Sequence, residues 1–101
     1  MVNRAKAKGS LFERDVAAYL GLKRAYPIMS YGDILGPDFI IECKNCAKFD
    51  LPAWLRQAEA SKVRASKRFA FVVAKRRTLD VGSSYVVCSL STFRDLVLPQ
   101  N

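Results

Sequence analysis

Apolar residues at Phe12, Val16, Tyr19 and Leu20 recur in steps of three and four, the repeat of one helical face. Gly21 follows at once and suits the left-handed position just past a helix end, so the spacing predicts a helix over 10–20. Residues 1–9 lack such a face and read as a flexible basic arm. Residues 23–29 read as a first strand, disturbed by Pro27. Two short runs then flank Gly36-Pro37-Asp38 and predict a β-hairpin, with strands at 33–35 and 39–44. Asp50 is a good N-cap for a second helix that holds Pro52 in its first turn and runs to about Ala65. Its apolar side is Leu51, Trp54, Leu55 and Ala58, and its other faces carry Arg56, Lys62 and Arg64. Residues 69–74 form an unbroken apolar run of strand length, the mark of a buried central strand. A polar loop or hairpin tip at 76–83, a strand at 85–88 and a short last helix capped by Ser91 complete the chain. This order predicts an α/β fold: a mixed central β-sheet flanked by helices.

The hairpin carries the candidate chemistry. Side chains alternate along a strand, so Ile40, Glu42 and Lys44 share one face while Phe39, Ile41 and Cys43 point the other way. Closing the hairpin brings Asp33 near Glu42. Two carboxylates and one amine then converge at the end of a sheet, an arrangement suited to holding a metal ion and activating water against a phosphodiester. Glu and Lys two apart on a strand also occur as a solvated face with a cross-strand ion pair. The apolar setting of Phe39, Ile40 and Ile41 argues for an interior strand, where charges need a reason.

Composition narrows the partner. In 101 residues there are 17 Lys plus Arg against 9 Asp plus Glu, a net charge of +8, which points to a polyanion. No stretch reaches membrane-spanning length, so nucleic acid is favoured over a bilayer. The chain is short enough for one domain, expected over 10–101 behind the arm. The basic start lacks the apolar core of a signal peptide, and the expected location is intracellular and cytoplasmic, or the host cytoplasm if viral. There is no His, which removes His bases and His-based triads. Cys43-x-x-Cys46 invites a zinc or redox reading. With only Cys88 besides, a closed four-ligand zinc site cannot form within one chain.

Taken in order, Lys8-Gly9-Ser10-x-x-Glu13-Arg14, Ser30-x-Gly32-Asp33, Glu42-x-Lys44 and Trp54-x-x-Gln57 resemble the PD-(D/E)xK nuclease superfamily, and within it the small Holliday-junction resolvases, including compact virus-encoded forms. The resemblance runs from about Lys8 to Lys75. It implies a restriction-endonuclease-like core, Mg²⁺-dependent hydrolysis of DNA, with Mn²⁺ as a substitute, and a homodimer. It also implies a metal site of Asp33, Glu42 and the Cys43 carbonyl, with Glu13 as a fourth acid, and a role for Gln57 in orienting Lys44 and the water. Ser30 would contact the scissile phosphate. One departure is plain: the family's acid often follows a Pro, whereas Asp33 follows Gly32 and Pro37-Asp38 falls in the turn. Asp33 is assigned because it opens a strand facing Glu42, and Asp38 is the substitute if the register differs. Glu13 fits a capping box with Ser10 equally well.

Phosphate contacts are expected from Arg4, Lys6, Lys8, Arg14, Lys67, Arg68, Lys75, Arg76 and Arg77, groups that bind backbone and read no base code. No helix-turn-helix, zinc-finger or RNA-recognition signature is present, which favours recognition of branched shape, such as a four-way junction, over sequence. The expected dimer interface is the second helix around Trp54 with the strand at 69–74. Flap, nicking and restriction-like endonucleases remain open within the nuclease class. So do a non-catalytic nucleic-acid binder of this fold and a redox module built on Cys43 and Cys46.

Overall fold

The computed structural model describes residues 4–24 and 32–99, with the side chains of 4–8 left aside. Its elements are α1 (Arg4–Leu20), β1 (Ile34–Leu35), β2 (Phe39–Lys44), α2 (Leu51–Ala65), β3 (Phe69–Ala74), a 3₁₀ turn (Val81–Ser83), β4 (Tyr85–Val87) and α3 (Leu90–Val97). The four strands form one mixed sheet in the order β1-β2-β3-β4. The β1–β2 and β3–β4 pairs are antiparallel, and β2–β3 is parallel, joined through α2.

The sheet is interior on both faces because β2 and β3 carry apolar residues on both sides of the pleat. Phe12, Val16 and Ala17 of α1 pack on Ile34, Ile41 and Val73. Trp54 and Ala58 of α2 pack on Ile40, Ala70, Val72 and Ala74. The result is a three-layer α/β/α arrangement, as the alternation of strand residues requires.

Asp50 caps α2 through the Ala53 N–H (3.3 Å), as expected for Asp at that position. At the end of α1, Gly21 takes φ +70 and the Leu22 N–H reaches the Ala17 carbonyl at 2.9 Å, the six-to-one bond of a Schellman motif.

Several expectations need correction. α1 begins at Arg4, so helical backbone occupies most of the segment expected as a flexible arm. Ala5, Lys6, Ala7 and Lys8 are strong helix formers and extend the helix without an apolar face. Ser10 therefore lies inside a helix, and the capping-box reading of Glu13 does not hold. The cap of α3 is Ser89, whose Oγ accepts from the Thr92 N–H at 3.1 Å, in place of Ser91. The expected strand at 23–29 lies mostly outside the described residues, and only a bridge from Arg24 to Ile34 is seen. The expected dimer surface is core: Trp54 and nearly all of β3 are buried inside the monomer between the two helices. Among the described residues, no helix is long and apolar enough to cross a membrane.

Candidate active site

The β1–β2 register pairs Ile34 with Ile41, so one step further sets Asp33 opposite Glu42. The Asp33 N–H donates to the Ile41 carbonyl at 2.9 Å, which carries the ladder to that point. Asp33 then turns its side chain back onto β2, and its Oδ2 accepts from the Cys43 N–H at 2.7 Å. Backbone groups two apart on a strand face the same edge, so the Cys43 carbonyl is directed to the side of β2 on which Asp33 stands. Gly32 supplies the backbone conformation that leads into this contact. It has φ +97, and a Cβ there would lie 3.4 Å from the Ile41 carbonyl oxygen and 3.6 Å from Glu42 Oε1.

Glu42 and Lys44 face α2, on the side of β2 that the alternation assigned to them. Glu42 is buried, with 4 % exposure, and its Oε1 accepts from Ser61 Oγ at 2.8 Å. Ser61 is itself buried and accepts from Arg64 Nη2 at 2.9 Å. Lys44 Nζ donates to Gln57 Oε1 at 2.7 Å. One helix therefore fixes both ends of the Glu-x-Lys pair: Gln57 holds the amine and Ser61, four residues on, holds the carboxylate. Ser61 was not anticipated. Its signal in the sequence is a polar residue on the stripe Trp54, Ala58, Ser61, Ala65, the spacing of a buried helical face.

Glu13 reaches the same region from α1. It pairs with Arg24 at 3.0 Å and, when protonated, donates to Asp33. Burial raises its pKa, the Asp33 charge raises it further, and Arg24 opposes both. Asp33 lies between the two glutamates. Its pKa is raised chiefly by burial and also by the Glu42 charge, against the lowering effect of the Cys43 N–H, the Glu13 hydrogen bond and the Lys44 charge. The Cys43 thiol packs toward α1, and burial together with Asp33, Glu13 and Glu42 pushes its pKa far up. A thiol held protonated is a poor nucleophile and a poor metal ligand, which weighs against the zinc and redox readings.

The expected phosphate contacts separate into groups. Lys75, Arg76 and Arg77 follow β3 at the end of the sheet where Lys44 closes β2. Lys67 and Arg68 stand at the opposite end. Lys67 Nζ donates to the Pro37 carbonyl at 3.3 Å, and Arg68 pairs with Asp38 at 3.0 Å. Asp38 is thereby placed away from Glu42, which supports Asp33 over its substitute. Arg14 is exposed on α1, beside Glu13 in sequence. Arg4, Lys6 and Lys8 lie on the first turns of α1, and their side chains fall outside the description. Ser30 also lies outside the described residues.

Compared with known proteins, the chain matches no family model, no curated protein and no solved structure.

Among the described residues, no group of three or more Cys, Asp or Glu stands in metal-holding geometry. The donor set nevertheless suits a hard cation in kind: carboxylate oxygens and a backbone carbonyl, with burial and neighbouring acids already disfavouring the charged forms of Glu13 and Asp33. Bringing Glu13 to a shared ion would require it to leave Arg24.

Proposed function

We propose that the protein is a Mg²⁺-dependent, structure-specific DNA endonuclease with a restriction-endonuclease-like core, acting on four-way junctions. The observation that carries this reading is the pairing across one hairpin of Asp33 with Glu42, with Lys44 two residues along and both Glu42 and Lys44 held by α2. A surface ion pair would need neither the burial of Glu42 nor its dedicated Ser61 donor.

Asp33, Glu42 and the Cys43 carbonyl would hold the ion, with Glu13 joining on release from Arg24. Bound Mg²⁺, or Mn²⁺ in its place, supplies a Lewis acid for the phosphoryl oxygen and an acidified water as nucleophile. Lys44, fixed by Gln57, places a positive charge beside the phosphoryl group, where negative charge builds up in the transition state. Its orientation is set before substrate arrives, so little reorganisation accompanies the reaction. In-line attack leaves a 5′-phosphate and a 3′-hydroxyl. The test is cleavage of a four-way junction, a flap, a fork and a linear duplex, each with and without Mg²⁺. Cleavage of the junction alone, at symmetric positions, is the expected result. Preference for the flap or fork reassigns the substrate, and no cleavage of any of them leaves the binder reading.

Binding should follow charge. A net +8 surface that touches about six phosphates loses roughly a thousandfold in affinity between about 50 and 200 mM salt. A flat salt response, read by fluorescence anisotropy, would contradict this.

Paired cuts on symmetric strands need two sites in fixed relation, which a two-fold dimer provides. With the former interface residues in the core, the surfaces for pairing are β4, at the sheet edge, and α3. Leu90, Phe93 and Val97 lie at i, i+3 and i+7 on α3 and are 82 %, 49 % and 58 % exposed, and Val86 on β4 is 65 % exposed. The double substitution Leu90→Lys with Phe93→Lys should convert a dimer into a folded monomer in light scattering coupled to size exclusion. A wild-type monomer at micromolar concentration, free and DNA-bound, would defeat the pairing.

A further inference from the structure

Beyond the C-terminal ends of β2 and β3 lies an open cleft of about 420 Å³, within the size range of small-ligand sites. Lys75, Arg76 and Arg77 line one part of it, and Phe49 and Tyr85 another. The rings form a cluster: Phe49 lies 5.2 Å from Trp54 at a tilt and meets Tyr85 edge to face at 5.9 Å, and the Arg76 guanidinium covers the Tyr85 ring at 5.0 Å. Both Phe49 and Tyr85 remain nearly half exposed, at 44 % and 47 %. None of the ion pairs among the described residues uses Lys75, Arg76 or Arg77. Thr78, also on the cleft wall, has φ +66, a conformation that a β-branched residue adopts only at a cost.

The cleft adjoins the candidate active site. The Lys75 N–H donates to the Lys44 carbonyl at 2.9 Å, so the first cation of the cleft is tied to the strand residue whose amine faces the chemistry. Outside the carboxyl ends of parallel strands is also where α/β sheets tend to bind ligands.

Cations unmatched by acids, such as Lys75 and Arg77, take phosphates. Exposed aromatic rings and a planar guanidinium beside them take a base, and only a base that has left its stack can reach them. A duplex offers phosphates without a free base, so the aromatic wall would gain nothing from intact double-stranded DNA. We propose that this cleft binds an unpaired nucleotide of the DNA substrate, its base against Phe49, Tyr85 and the Arg76 plane and its phosphates on Lys75 and Arg77. The inference rests on the reading of the protein as a DNA-binding enzyme and adds to it that a base at the branch point leaves its stack and enters the cleft next to the cut.

The test is done in EDTA, so that it is independent of cleavage. Fluorescence anisotropy compares a labelled thymidine octamer with an abasic octamer of the same backbone. One stacked base makes the thymidine oligomer bind about 5- to 150-fold tighter. Phe49→Leu and Tyr85→Leu, each checked for folding by circular dichroism, should shrink that ratio, whereas Arg77→Ala should weaken both oligomers alike. Equal affinity of the wild-type protein for the two oligomers would overturn the proposal, a result that needs no variant to fold. An undiminished ratio in both folded aromatic variants would also overturn it. Absence of cleavage in the Mg²⁺ assay would sink the nuclease reading and leave this binding result standing.

Discussion

Asp33→Asn, Glu42→Gln and Lys44→Ala should each lower junction cleavage by about a thousandfold or more, while circular dichroism and DNA binding stay close to wild type. The scale follows from removing one preorganised charge from a reacting phosphoryl group, worth about 10²–10³ in rate for a single hydrogen-bond donor and more for a group that also holds the ion. Binding should survive because the proposed phosphate contacts lie on cations outside the acid cluster, among them Lys75 and Arg77 on the cleft wall. Gln57→Ala should fall between these variants and wild type, since it frees the Lys44 amine without removing it. Single-turnover rates at saturating protein separate the chemical step from binding. Near-normal cleavage by pure Glu42→Gln protein would remove the central claim.

The same acids set a stability effect of opposite sign. Burial and the Glu42 charge raise the Asp33 pKa in the folded state above its ordinary value of 3.8. The folded protein therefore holds that proton more tightly than the unfolded chain. The resulting stability is fully present below the unfolded pKa and is lost as pH rises through the folded one. At neutral pH the ionised Asp33 weakens the fold. Asp33→Asn removes the charge, and its side-chain oxygen still accepts from the Cys43 N–H, so this inactive variant should melt above wild type at pH 7. The difference should shrink as the pH falls toward 3.8. Saturating Mg²⁺ should raise the wild-type melting temperature through its preference for the folded state. It should do so less in Asp33→Asn. An inactive but less stable Asp33→Asn would contradict the charge argument.

Local pattern determined what could be read from the chain. The hairpin, α2 with its Asp50 cap, and β3 were legible because period-two and period-3.6 signals ended at strong turn and cap residues. Hairpin register and alternation together predicted that Asp33 would meet Glu42 and that Glu42 and Lys44 would share a face. Helix start was not legible at Arg4, because Ala and Lys extend a helix without any apolar periodicity to mark it. Nor was the placement of Lys67 and Arg68, which depends on β3 running parallel to β2 and so on the crossover through α2. The expected dimer surface failed for a related reason. Aromatic and aliphatic residues on Trp54's helix and on β3 suit a core as well as an interface, and only tertiary packing separates the two. Ser61 was passed over because Ser on a helix is usually solvated, although its place on the stripe with Trp54 and Ala58 marked it as buried.

Ser61→Ala should therefore destabilise the protein by about 1–3 kcal/mol, because it removes only the hydroxyl and leaves the buried Glu42 carboxylate without its donor. For a chain of this length that is a fall of several degrees in melting temperature for each kcal/mol. Cleavage should fall with it, since a carboxylate free of Ser61 no longer holds one orientation toward Asp33. A double-mutant cycle with Glu42→Leu isolates the contact. With no carboxylate at position 42, Ser61→Ala should cost far less, and the coupling measured by thermal or urea unfolding should account for most of the single-variant loss. Ser61→Thr, which keeps the hydroxyl, should recover part of both stability and activity. If Ser61→Ala costs the same with and without Glu42, Ser61 contributes through packing alone, and the orientation of Glu42 must come from the strand itself.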